Sequence, residues 1–268
     1  MRFTDGDLRF LAGVIAGDDQ GAAAALIGAW RAEPARLEPV LEDERVLRRL
    51  MADPNLIVEL SPRLLFSILL RRIRRDLSEV PYTVERIHRD GRVVVFDAAH
   101  SLSLLRTPAV FDYLLDLLVS FERVETVVVP SPSGPLRMRR LNTLSIEDML
   151  ELAGLIDQPL RPMVFRRIGD IALFTTGLFP DAVVRGQRPA LLARLTAPPR
   201  QRLRIEDYEE EGRRFYRLAA DQLASSHPGL AEVLARLSED FTAARKPLSV
   251  LSERYVAWVR PHWRQAPS

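Results

Sequence analysis

A chain of 268 residues, 47% apolar and 28% charged, can bury a sizeable core as one large domain or two modest ones. It contains no cysteine, which excludes disulfides, thiol nucleophiles, iron–sulfur clusters and cysteine-ligated zinc. The pI near 9.3 suggests anionic partners, yet the formal charge is only +2, and all 38 Lys and Arg residues but Lys246 are arginine.

Arginine holds its charge at every accessible pH and binds phosphate well. A near-complete replacement of lysine by arginine also follows from composition bias, so the pI alone does not make a nucleic-acid binder. The opening "MRFTDGDLRFLAGVIAGDD" brings acidic residues at once and a short, broken apolar run, so no secretory leader is expected. No window approaches the roughly 18 apolar residues that a transmembrane helix needs. The expected location is the cytoplasm.

Helix signals dominate the chain. Thr4 with Asp7 resembles a capping box that opens a helix to about residue 16. A second helix is expected over 19–30. A third is expected over 33–51, with Pro39 as a distortion near its start. In "SPRLLFSILLRRIRRDL", Ser61 is the N-cap and Pro62 the first helical residue, with Leu65, Ile68, Leu69 and Ile73 as the apolar face.

The pattern then changes. "YTVERIH" and "RVVVFDA" flank Asp90-Gly91, which predicts a hairpin of strands 82–88 and 92–97. Helix resumes at Thr107-Pro108 and runs to about residue 121. A second extended pair is expected over 124–129 and 135–141, joined by "PSPSG". Ser145 with Asp148 starts another helix to about residue 156. Pro159 and Pro162 lead into "RRIGDIALFTTGLFPD", residues 166–181. The Pro/Arg-rich stretch 180–204 contains at most one short helix. Helices over 206–225, 228–243 and 248–260 complete the chain, separated at His227-Pro228 and Lys246-Pro247.

The expected fold is therefore mainly α, an irregular helical bundle with one or two small inserted β-hairpins. Residues 1–268 read as a single domain, with 180–204 the place where a subdomain boundary would fall.

Residues 166–181 raise a chemical question. The helix is apolar around most of its circumference, which places it centrally in a bundle, yet Asp170 lies within it. A buried carboxylate must be paired or protonated. Arg166 and Arg167 precede it by four and three residues and can both reach it. The preferred reading is a structural ion pair; the alternative is a pocket in which Asp170 binds a ligand or acts as acid or base.

In "DYEEEGRRFYRLAAD" (207–221), Tyr208, Gly212, Phe215, Tyr216 and Ala219 share one side of a helix. Gly212 costs a helix interior about 1 kcal/mol, so a close helix approach is expected there. Candidate pocket residues are thus Asp170, Arg166, Arg167, Tyr208, Arg213, Tyr216 and His100.

Two basic clusters form the candidate basic surface: Arg71, Arg72, Arg74 and Arg75 at a helix end, and Arg137, Arg139 and Arg140 on an expected strand. No aromatic platform interleaves them, and no RNA- or DNA-binding motif is recognisable. Glu85-x-x-His88 matches a di-iron spacing, but it falls on a strand and has no second copy. No metal and no cofactor are expected. Serine-nucleophile and nucleotide-binding motifs are absent from the sequence.

"SPRLLFSILLRRIRRDL", "GLFPD" and "YEEEGRRFYRLAAD" together resemble uncharacterised helical proteins encoded in many bacteria. The resemblance implies a cytoplasmic, bacterial, helical protein and carries no activity with it.

Three functions stand as expectations. The first is a protein-interaction or scaffold/regulatory module, acting on a protein partner or on itself, without enzymatic activity. The second is an enzyme or small-ligand binder with its pocket around Asp170. The third is nucleic-acid binding through the arginine clusters.

Overall fold

Short side chains at helix starts set much of the architecture. In the computed structural model, which describes residues 3–53, 55–86, 91–121, 126–130, 138–185 and 204–256, Thr4 and Asp7 close the expected capping box. Thr4 Oγ1 accepts from the Asp7 N–H at 3.1 Å, and Asp7 Oδ2 accepts from the Thr4 N–H at 2.8 Å, opening α1 (Asp5–Ala16). Asp19 caps α2 (Gln20–Ala32) through the Ala22 N–H.

The third expected helix is broken. A 3₁₀ turn (Pro34–Leu37) leads into α3 (Glu38–Leu41), and the chain restarts as α4 (Glu44–Ala52). Pro39 supplies no N–H, and Asp43 offers the backbone a competing bond by accepting from the Arg45 N–H. The short α5 (Leu56–Glu59) precedes α6 (Pro62–Glu79), where Ser61 Oγ accepts from the Leu64 N–H as expected. The buried Asp7 carboxylate also accepts from the backbone N–H and the hydroxyl of Ser61, so one side chain ties the starts of α1 and α6 together.

Both expected hairpins are present, each a two-stranded antiparallel sheet. Strands β1 (Thr83–Arg86) and β2 (Arg92–Val95) pair with Thr83 opposite Val95. Strands β3 (Thr126–Pro130) and β4 (Met138–Asn142) pair with Thr126 opposite Asn142. Between the hairpins lie α7 (Ala98–Arg106), which the sequence did not signal, and α8 (Pro108–Ser120). The Asp97 side chain makes no cap for α7; burial of Leu102, Leu104 and Leu105 holds that helix instead.

The remaining elements are α9 (Ile146–Leu155), α10 (Arg161–Leu178), α11 (Pro180–Val184), α12 (Ile205–Leu223), α13 (Pro228–Glu239) and α14 (Phe241–Leu251), followed by a π turn (Ser252–Val256). Where a break at Lys246-Pro247 was expected, α14 runs through it. Proline inside a helix costs about 3 kcal/mol or more. Here residues 243–248 are all buried, and that burial outweighs the lost hydrogen bond.

Contacts divide the chain into two compact units: residues 1–79 with 250–268, and residues 80–249. Within the second unit α10 packs most extensively on α12, and α12 in turn on α13. The fold is mainly α with two small hairpins. Most of the stretch 180–204, read above as the place for a boundary, lies outside the described residues. Among the described residues no helix is long and apolar enough to cross a membrane.

Candidate functional site

Asp170 sits in the middle of α10 at 3% exposure. Two tyrosines converge on it from neighbouring helices. Tyr113 of α8 donates its hydroxyl to Asp170 Oδ1 at 2.5 Å, and Tyr216 of α12 donates to the same oxygen at 2.8 Å. Arg166, one turn earlier on α10, approaches Oδ2 at 3.6 Å and donates its Nε–H to the Tyr113 hydroxyl at 3.2 Å. One carboxylate thereby joins three helices.

The electrostatics follow from this burial. Desolvation pushes the Asp170 carboxyl above its ordinary 3.8, against the Arg166 and Arg167 charges and the two hydroxyls, which pull it down. Both tyrosine hydroxyls are held well above their ordinary 10.0, first by burial and then by the negative charge of Asp170.

Close backbone approach makes the cluster fit. A Cβ on Gly169 would lie 2.5 Å from the Tyr216 ring, and one on Gly212 would overlap the Phe241 ring. The close approach expected at Gly212 is thus present.

Three of the expected pocket residues, Asp170, Arg166 and Tyr216, come together. Arg167 is directed elsewhere: it donates to the Thr143 carbonyl and to Ser120 Oγ, each at 2.9 Å, and lies 4.0 Å over the Phe121 ring. Tyr208 is half-buried on α12, about 12 Å along the helix from Tyr216. Arg213 belongs to a polar seam, donating to the carbonyls of Ser238 and Glu239 and to Thr242 Oγ1. In the same seam Thr242 donates to Glu209, which pairs with the buried Arg245 at 2.7 Å. His100 is exposed and bonds Asp240 at 2.8 Å.

Tyr113 was missed. It lies on the apolar face of α8, and a buried tyrosine needs a partner for its hydroxyl. That need, set beside a carboxylate buried on another apolar helix, is the signal available in the sequence.

The arginine clusters are distributed differently from their reading as a surface. Arg71 is buried and makes a bidentate pair with Glu38 at 2.7–2.8 Å, also donating to Ser67. Arg72 pairs with Asp76 at 2.8 Å, Arg74 with Glu42, and Arg75 with Glu79 at 3.4 Å. Each of the four faces a carboxylate, so little uncompensated charge remains for a phosphate backbone. Arg140 is exposed on β4 opposite Val128, Arg139 stands opposite Val129, and Arg137 lies outside the described residues. Glu85 falls on β1, and His88 lies outside the described residues.

Among the described residues the second unit exposes two groups of large apolar side chains, one at Leu150, Leu155, Leu160 and Met163 around the α9–α10 connection and one at the β1–β2 hairpin. Tyr82, Val93 and Val94 are 40–50% exposed and Phe96 is 78% exposed, all on or beside the β1–β2 hairpin. Tyr82 and Phe96 meet edge to face, with centroids 6.2 Å apart. Among the described residues β2 pairs with β1 alone, so its outer edge carries main-chain donors and acceptors without a strand partner. The sequence held a sign of this. "VVVF" (93–96) lacks the apolar–polar alternation of a half-buried strand, and a two-stranded sheet cannot cover both faces of such a run.

Comparison of the chain with protein-family models, with curated proteins and with solved structures gave no match in any of the three.

Proposed function

We propose that the protein is an interaction module that takes an extended apolar segment of a partner protein onto the β1–β2 hairpin, in a scaffolding or regulatory role. The carrying observation is the exposure of Val93 and Val94 on β2 and of Tyr82 and Phe96 beside the hairpin, where β2 has no second strand partner among the described residues. An extended segment added to such an edge gains main-chain hydrogen bonds for affinity and side-chain contacts for specificity.

Size favours a peptide over a second copy. Val93 and Val94 are successive residues of β2 and face opposite sides, so at most three of the four side chains share a face, far short of a dimer interface. A stable dimer needs about 800 Å² from each partner. Asp170 is better suited to structure than to catalysis, since both of its oxygens are engaged by groups that hold the helices together.

The test is selection of binders from a displayed library of extended peptides, using the whole protein as bait. Apolar peptides should be enriched, and Phe96→Ser and Val94→Ser should each weaken their binding about tenfold or more. Peptides that bind both variants as well as the parent would contradict the proposal. So would a concentration-dependent dimer that Phe96→Ser abolishes.

A further inference from the structure

We infer that Lys246 is a positioning residue that latches the β1–β2 hairpin in place; calling that place the docking pose rests on the function proposed above. Lys246 projects from α14 to the carboxylate of Asp97, which lies just beyond the end of β2. The same carboxylate accepts the hydroxyl of Thr83, the first residue of β1, at 2.6 Å. A single carboxylate therefore fastens the base of both strands to a helix.

Composition and burial support the assignment. Lys246 is the only lysine in a chain that otherwise uses arginine for every such charge, and it is 3% exposed. An ammonium is a compact point charge on a flexible stem, whereas a guanidinium is a broad planar fork. The bias toward arginine is broken at a buried position where the compact charge meets a carboxylate.

The two ends of the latch also differ. The Asp97 side chain keeps 30% of its surface in solvent, while Lys246 and Thr83 are buried. Once untied, Asp97 can rehydrate and leave with the strands, so the hairpin is the part that moves. The patch at stake is apolar and exposed, and because a two-stranded hairpin is marginal by itself its geometry draws on this tie as well as on the packing of β1 against α11.

Hydrogen exchange on the full chain tests the latch without any partner. In Lys246→Met, amides of residues 83–86 and 92–95 should exchange about tenfold faster, the equivalent of about 1.4 kcal/mol. Lys246→Arg should fail to restore them. Thr83→Val, which keeps the ion pair and removes only the hook from β1, should give a smaller acceleration in the same segment. Amides of α10 and α12 should keep their protection in all three.

Unchanged hairpin exchange in both Lys246→Met and Thr83→Val would overturn the inference. So would protection lost evenly across residues 80–249, the signature of an ordinary core pair. If Lys246→Met does not fold, Lys246→Arg decides: hairpin exchange as slow as the parent's would overturn the inference. Absence of peptide binding to the parent protein would sink the docking reading and leave the exchange result standing.

Discussion

Two tyrosine hydroxyls on one carboxylate oxygen make Asp170 a fastening between helices, and its energetics can be tested by removing one atom type at a time. Asp170→Ala strands both buried hydroxyls and takes the counter-charge from Arg166. It should lose about 3–5 kcal/mol in urea unfolding. Asp170→Asn keeps an acceptor oxygen for the hydroxyls and should lose about 1–3 kcal/mol. Burial raises the Asp170 carboxyl above 3.8, so the native state holds this proton where the unfolded chain has released it. The stabilisation is fully present below 3.8 and is lost as pH rises through the raised value. Asp170→Asn should flatten that part of the stability–pH curve, and an unchanged slope would contradict the assignment. The Arg166 contact was legible from its spacing of four residues. Tyr113, 57 residues away, was not, because no local pattern joins two helices that far apart in the chain.

At the scale of elements, glycine separates close packing from open space. Gly212→Ala should lose about 1–3 kcal/mol, because the Phe241 ring occupies the space of the new methyl group. That loss exceeds the gain in helix propensity of about 1 kcal/mol. Gly13→Ala and Gly28→Ala, in α1 and α2, meet nothing within 4 Å and should gain about 0.5–1 kcal/mol. Thermal melts of the three variants give the comparison; a stabilised Gly212→Ala would show that close approach does not set this residue.

Helix starts were the most legible elements, since Thr4, Asp19, Ser61 and Ser145 each act through a local hydrogen bond. The misread elements were decided by tertiary burial or competing caps. α7 holds without a capping side chain, α14 passes through Pro247, and Asp43 restarts a helix where the pattern ran on.

For the whole molecule, composition and periodicity announced a mainly α protein with one or two small hairpins. They did not announce which apolar residues stay outside. The unbroken run "VVVF" marks more apolar surface than a two-stranded sheet can cover, but which of its residues stay outside depends on what packs over the strand. The arginine clusters show the converse. Arg71 to Arg75 read as surface charge, but Glu38, Glu42, Asp76 and Glu79 neutralise them from other turns and elements. Among the described residues, one exposed apolar surface of the second unit is the β1–β2 hairpin, tied at its base by Lys246, Asp97 and Thr83.

An extended partner segment paired with β2 would bury that strand's free amides. The most direct measurement is hydrogen exchange of the whole protein with and without a peptide selected on it. Slowed exchange is expected at the amides of residues 92–96, with no change in α10 and loss of the effect in Phe96→Ser. Slowed exchange around Asp170 with β2 unaltered would contradict that pairing and return the pocket reading to first place.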